Sequence, residues 1–438
     1  MQKNVAKTAL KMLLLGLATT AAATVTASTD ANDFYEKVMG SAPPLPADIS
    51  QQPLSCIIGA AANPEKFRDA TQAGYDKSGW ESRIAADWNY FGEEARHGKL
   101  LVIDFARIPN RAEPAYRYLG NANSYDELYE PWSSSKVMAI TGTMARLRAQ
   151  GLPGNSSVGG LPMADLLTSI HSYEPFGTAN GDSNSIATYF VNTAGREYLT
   201  GLFHQHWLKL SNPDVRIRGA YGADPLAPEP AIWQGGGKRT ALSSFRPSDT
   251  DPLYQPYRCD ECGLTGNKPA TLLAQAEWLK RLAAHERDTG TRHPGLLSSD
   301  IHTLFYGSGH SDSSRPVGGM MQGIGTMLHT ALAAAISGEQ PPAPAERNAW
   351  AKKILDEATD GQWRVFQKIG WGYSGTRTAD EAVSLAHVCL PGYQGGREFT
   401  VAARANVPGE PGEKEGQAAA LQLQTLFDES MAKLLTEG

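Results

Sequence analysis

The chain has 438 residues, 41% of them hydrophobic and 20% charged, which excludes a disordered or fibrous polymer and allows one large domain or two ordinary ones. A net charge of −6 with no long basic run argues against nucleic acid as the partner.

Taken in chain order, the first signal is an address. Lys3, Lys7 and Lys11 precede an apolar stretch from Met12 to Val25, which closes on the small residues Thr26 and Ala27. A basic start, a short apolar run and small residues at its end predict a signal peptide over 1–27 and a mature chain over 28–438. The run is too short to span a membrane comfortably. No stable span is expected after its removal, and a periplasmic or secreted location follows. Export permits disulfides among Cys56, Cys259, Cys262 and Cys389. A local bridge between Cys259 and Cys262 and a distant one between Cys56 and Cys389 are both expected, although four cysteines allow three connectivities.

Residues 28 to about 55 are rich in Ala, Pro, Ser and Asp and read as a loose lead-in. Lys99–Ile108 predicts a strand. A helix is expected from about Ser133 to Gln150, with Val137, Ile140, Met144 and Leu147 on its buried face and Gly151 and Pro153 as its stop. Residues 205–265 lack periodicity and read as long loops. Helical patterning returns at Ala270–His285 and Met320–Ile336. Strands follow at Trp363–Lys368, Val383–Leu390 and Glu398–Ala405, the last half-buried by its alternation. A helix over Gln417–Leu435 closes the chain. The order predicts an α+β fold: an antiparallel sheet flanked by helices and built from both chain ends (about 50–130 and 350–438), with a helix-rich lobe (about 131–349). An active site is expected in the cleft between the lobes.

The segment Trp132-Ser133-Ser134-Ser135-Lys136 opens the best helix. Ser133 and Lys136 are three apart, so both reach one helical face. A serine hydroxyl needs a base to become a nucleophile, and a buried lysine beside another cation can be that base. The helix N-terminus adds a field favourable to a developing oxyanion.

With two further motifs the sequence resembles the serine β-lactamase and penicillin-binding protein superfamily. Ser133 to Lys136 matches its Ser-x-x-Lys, Asp182-Ser183-Asn184 its Ser/Tyr-x-Asn, and Lys368-Ile369-Gly370 its strand Lys-Thr/Ser-Gly. The resemblance implies a β-lactamase/transpeptidase-like fold in which Ser133 is acylated and Lys136 takes its proton. It further implies that Asn184 bonds the substrate amide or Lys136. Lys368 would lower the Lys136 pKa and orient substrate, and the N–H groups of Ser133 and Trp371, beside Gly370, would form an oxyanion hole. Two positions depart from the pattern. Asp182 stands where the family has a hydroxyl, with Ser183 beside it on a helical neighbour expected to point elsewhere. Ile369 lacks the hydroxyl that holds a substrate carboxylate, a task left to Thr376 or Arg377. Glu229 is the candidate deacylating base.

No cofactor is called for. His204 and His206 have no third ligand at metal spacing, and the glycines of 318–325 read as close helix packing rather than a phosphate cradle. Trp132, Trp371 and Tyr373 are expected to line the cleft. The function read from the sequence is an exported serine acyl-transfer hydrolase acting on an amide, β-lactam or ester, a small molecule or a peptidoglycan fragment. A non-catalytic cell-wall or ligand-binding protein on the same scaffold is the alternative.

Overall fold

A computed structural model describes residues 33–49, 56, 58–242, 254 and 266–437. The signal peptide and the Cys259–Cys262 pair lie outside these residues. The strands are β1 (Ala85–Asp87), β2 (Lys99–Arg107), β3 (Pro114–Gly120), β4 (Ser157–Val158), β5 (Leu161–Pro162), β6 (Trp233–Gly235), β7 (Lys238–Thr240), β8 (Arg364–Ser374), β9 (Ala379–Leu390) and β10 (Arg397–Pro408). The α-helices are α1 (Ala70–Ala73), α2 (Lys136–Ala149), α3 (Met163–Ser172), α4 (Ser183–Ala194), α5 (Arg196–Gly201), α6 (Leu272–Ala283), α7 (Ser298–Tyr306), α8 (Met327–Ser337), α9 (Arg347–Thr359) and α10 (Gln417–Glu437).

Among the described residues, the main sheet has the order β1-β3-β2-β10-β9-β8. Every neighbouring pair is antiparallel except β1 with β3. The two chain ends therefore share one sheet, because β2 from the first part pairs with β10 from the last. This is the α+β arrangement expected from the order of elements.

The β10 alternation has a different cause from the one expected. Phe399, Val401 and Ala403 pack with Leu100 and Val102 of β2, Leu423 and Phe427 of α10 and Leu328 of α8. On the opposite face, Ala402 joins Leu101, Ile103 and Phe105 of β2, Trp278 of α6 and the helical lobe. Helices thus cover both faces, and Thr400 and Ala402 are as buried as their apolar neighbours. From Arg397 to Ala403 the strand is buried on both faces rather than one. Each large aliphatic side chain enclosed this way contributes about 1.5–3 kcal/mol of transfer free energy.

α2 runs through the helical lobe with all ten residues from Lys136 to Ala145, and Leu147, buried. It leans on α4, where Thr143 Oγ1 donates to the Phe190 carbonyl at 2.9 Å. The pattern at Met320–Ile336 divides into a turn at Gly319–Gln322 and helix α8. Gly323, between them, presses its backbone against Gln367 of β8, leaving no room for a side chain. Gly318 and Gly319 pack against Thr168 of α3 and Leu304 of α7 as expected, whereas Gly323 approaches a strand rather than a helix. Cys56 and Cys389 form a disulfide that ties the N-terminal segment to β9.

Candidate active site

The chain turns sharply before α2. Trp132 adopts a left-handed φ of 46°, a strained conformation for a bulky residue, and the turn Trp132–Ser135 leads into the helix. Two of the three serines are consumed by this turn. Ser134 donates to the Pro131 carbonyl (2.6 Å) and Ser135 to that of Trp132 (2.8 Å). Ser133 instead faces a cleft of about 840 Å³, shared with Glu130, Trp132, Tyr173, Asn184, Tyr221, Lys268, Trp371, Tyr373, Thr376, Arg377 and Glu415 among others. The three aromatics expected to line the cleft do so.

β8 carries the third motif past Ser133. A side chain at Gly370 would collide with the Ser133 backbone nitrogen, and one at Gly372 with the Trp132 ring. Glycine at 370 is therefore what brings the strand within reach of the Ser133 N–H, the approach that an oxyanion hole requires.

Lys136 is fully buried beneath Ser133. Its Nζ donates to Ser183 Oγ at 2.9 Å and Asn184 Oδ1 at 2.6 Å. Ser183 gives its own proton to the Ile170 carbonyl, so it serves Lys136 as an acceptor. This reverses the expectation for the first position of the second motif, while Asn184 meets Lys136, one of the two partners expected for it. Ser183, at the first turn of α4, reaches Lys136, whereas Asp182 is exposed and caps the helix by accepting from the Ser185 N–H. Asp182 acts on Lys136 only as a nearby charge. Burial pushes the Lys136 amine well below the ordinary lysine range and the Lys268 cation adds to it, with Asp182 opposing. The expected cation was Lys368, and it and Lys136 repel each other; Lys268 is a further cation, not expected from the sequence, that lowers Lys136.

Lys368 is also fully buried, with no hydrogen-bond partner among the described residues. Its Nζ lies over the Tyr173 ring, 3.5 Å from the centroid. Burial and then Lys136 push its pKa well down. Tyr173 caps α3 in the left-handed conformation, donates to the Ile369 carbonyl (3.1 Å) and lies within hydrogen-bonding reach of Ser133. Burial raises its phenol, so it remains neutral. Tyr221 bonds Ser135 at 3.0 Å and lies between Lys136 and Lys268.

Of the substrate-binding candidates, Gly370, Trp371, Thr376 and Arg377 are brought together around Ser133, but Arg377 is occupied. Its Nε and Nη2 each donate to Glu381 at 2.6 Å. Glu229 is exposed beside Gly159, at the small sheet of β4 to β7 and away from the cleft lining; it is displaced as deacylating base. Tyr173, Tyr221, Lys268 and Glu381 were not singled out from the sequence. Tyr173 alone left a trace there, as the last residue of an apolar helical run before Glu174-Pro175.

No family model matches the chain, and no curated protein is similar to it. Similar solved structures include a class A β-lactamase of the last common ancestor of Gram-negative bacteria, at 14% identity, covering 78% of this chain and 96% of that one with a TM-score of 0.32. L2 complexed with relebactam is similar at 16% identity, over 77% and 91%, with a TM-score of 0.36. The C-terminal domain of the Bacillus licheniformis BlaR penicillin-receptor is similar at 10% identity, over 79% and 97%, with a TM-score of 0.34.

Proposed function

We propose that the protein is an exported serine acyl-transfer hydrolase, in which Ser133 attacks the carbonyl of an amide, β-lactam or ester. The observation that carries this reading is the state of Lys136. A neutral amine has two N–H donors and one lone pair. Ser183 and Asn184 take both donors, which leaves the lone pair for the Ser133 proton. Burial without a carboxylate contact favours that neutral form at working pH.

In the first step the Ser133 Oγ–carbon bond forms, its proton passes to Lys136, and the carbonyl π electrons move onto oxygen. The Ser133 and Trp371 N–H groups are the donors assigned to that oxyanion. The intermediate then expels the alcohol or amine, which takes the proton from Lys136, and leaves the acyl group on Ser133. Water releases it in a second cycle. The Cys56–Cys389 bridge supports an oxidising compartment outside the cytoplasm.

The test is intact-protein mass after brief exposure to a penicillin, a cephalosporin and an activated ester, with Ser133→Ala in parallel. The expected result is an adduct with at least one of the three probes on the parent chain, absent from the variant. Absence of an adduct with every probe contradicts the mechanism. A second reading, a ligand-binding protein without turnover, draws on Ser133 facing Tyr173 while the Lys136 N–H groups turn to Ser183 and Asn184. A parent that binds these probes reversibly and is never acylated selects it.

A further inference from the structure

Among the described residues, the cations lining the cleft are each met by an acid of the protein itself. Lys268 Nζ lies 3.1 Å from Glu130. The Arg377 guanidinium, in the turn between β8 and β9, is closed by both oxygens of Glu381 on β9. That fork is the group best shaped to grip a carboxylate, and here a protein carboxylate already fills it. Glu381 is held a third time, because Trp132 Nε1 donates to its Oε2 at 2.7 Å. The Arg377–Glu381 pair is largely buried, with side-chain exposures of 20% and 12%, which keeps solvent from competing for it. Glu415 adds another acid to the wall, and Ile369 offers no hydroxyl. The rest of the lining sets five rings, Trp132, Tyr173, Tyr221, Trp371 and Tyr373, among uncharged polar side chains that include Asn184, Asn267, Ser374 and Thr376.

We infer that Glu381 is a specificity residue that reserves this cleft for acyl substrates without a carboxylate, flanked by apolar or aromatic groups. An anionic substrate must break a bidentate ion pair and leave Glu381 buried without its partner. A neutral one breaks nothing and buries its flanks against the rings. The inference rests on the cleft being the substrate site, and deepens that reading by naming the substrate class.

The test uses matched ligands, 3-phenylpropionamide and 3-phenylpropionate, titrated against tryptophan fluorescence at neutral pH. The parent chain, Ser133→Ala and Glu381→Gln are compared; glutamine keeps an acceptor for Trp132 and removes the charge facing Arg377. The parent and Ser133→Ala are expected to bind the amide at least about tenfold more tightly than the acid, and Glu381→Gln to narrow that gap by about tenfold or more. Equal or tighter binding of the acid by the parent overturns the inference, as does an unchanged gap in a folded Glu381→Gln, or binding of neither compound at millimolar concentration. Where Glu381→Gln does not fold, the parent ratio decides. Because binding is read without turnover, a preserved ratio in a chain that never forms an adduct refutes the hydrolase mechanism and leaves this inference standing.

Discussion

Lys136 and Lys280 are both fully buried, yet their surroundings differ in one respect. Lys280, on α6, lies 2.9 Å from Glu277 and between the rings of Tyr75 and Tyr116. Glu277 also accepts from Arg281 and Tyr118, and Asp288 from Tyr116. The network continues across the sheet, where Arg287 pairs with Glu398 beside His387. Among the described residues Lys136 donates only to neutral oxygens, near the rings of Tyr173 and Tyr221, and Lys368 lies against a ring face. Burial pushes Lys280 down to about 8, its counterion opposing. Burial also works against Glu277, but Lys280 and Arg281 hold it below the usual carboxylate range. Lys136 and Lys368 are also pushed well below the ordinary lysine range, with no carboxylate contact to restrain them. A buried lysine with a counterion belongs to the scaffold. A buried lysine without one, under an open cleft, is the candidate for the base that the proposed mechanism requires.

The comparison breaks most directly at Lys136. Lys136→Met is expected to slow Ser133 acylation by about 10⁴-fold, the upper range for a lost general base, measured as the rate of adduct formation. Its stability should move the other way. The folded state holds Lys136 neutral while the unfolded chain protonates it, so folding releases a proton and stability rises with pH toward the ordinary lysine pKa. Lys136→Met removes part of that slope and raises the melting temperature at neutral pH, which scanning calorimetry reads.

Glu277→Leu strips two cations of their shared carboxylate. The expected cost is about 3–5 kcal/mol, seen in urea melts. By contrast with Lys136→Met, the acylation rate of whatever remains folded should be little changed.

Tyr173→Phe keeps the ring under Lys368 and removes the hydroxyl beside Ser133. It should reduce acylation by about 10²-fold with the melting temperature nearly unchanged. A loss below threefold would mean that the phenol is only packing.

The smallest effect concerns the cation next door. Lys268 lowers Lys136, so Lys268→Gln should raise the Lys136 pKa and move the rising limb of the acylation profile to higher pH. A shift to lower pH would assign the charge effect elsewhere.

Much of this contrast was legible in sequence. Three-residue spacing on an apolar helix gave Ser133 and Lys136, and the strand motif gave Lys368 and Gly370. What escaped notice is non-local. Tyr173 and Lys268 reach the cleft from a helix end and a loop, Glu381 holds Arg377 and Trp132 there from the strand next to β8, and no spacing within one segment joins them. The second motif was misread by one residue, because a helix's first residue, Ser183, can point inward while its cap, Asp182, points out. Likewise the alternation in β10 reads the same whether one face or both are covered; only α8 and α10, folding back from elsewhere, decide it. The pairing of Arg377 with Glu381, four apart across a strand turn, was available to a charge-pattern reading that considered hairpins as well as helices.

The most direct measurement is the rate of Ser133 acylation by an activated ester from pH 5 to 10, followed by intact mass with Ser133→Ala as the blank. The expected result is an adduct confined to the parent chain, whose rate of formation climbs through a single titration well below the ordinary lysine range and then levels. An adduct that persists in Ser133→Ala, or a rate that climbs only near pH 10, would contradict the claim that Lys136 is a neutral base for Ser133.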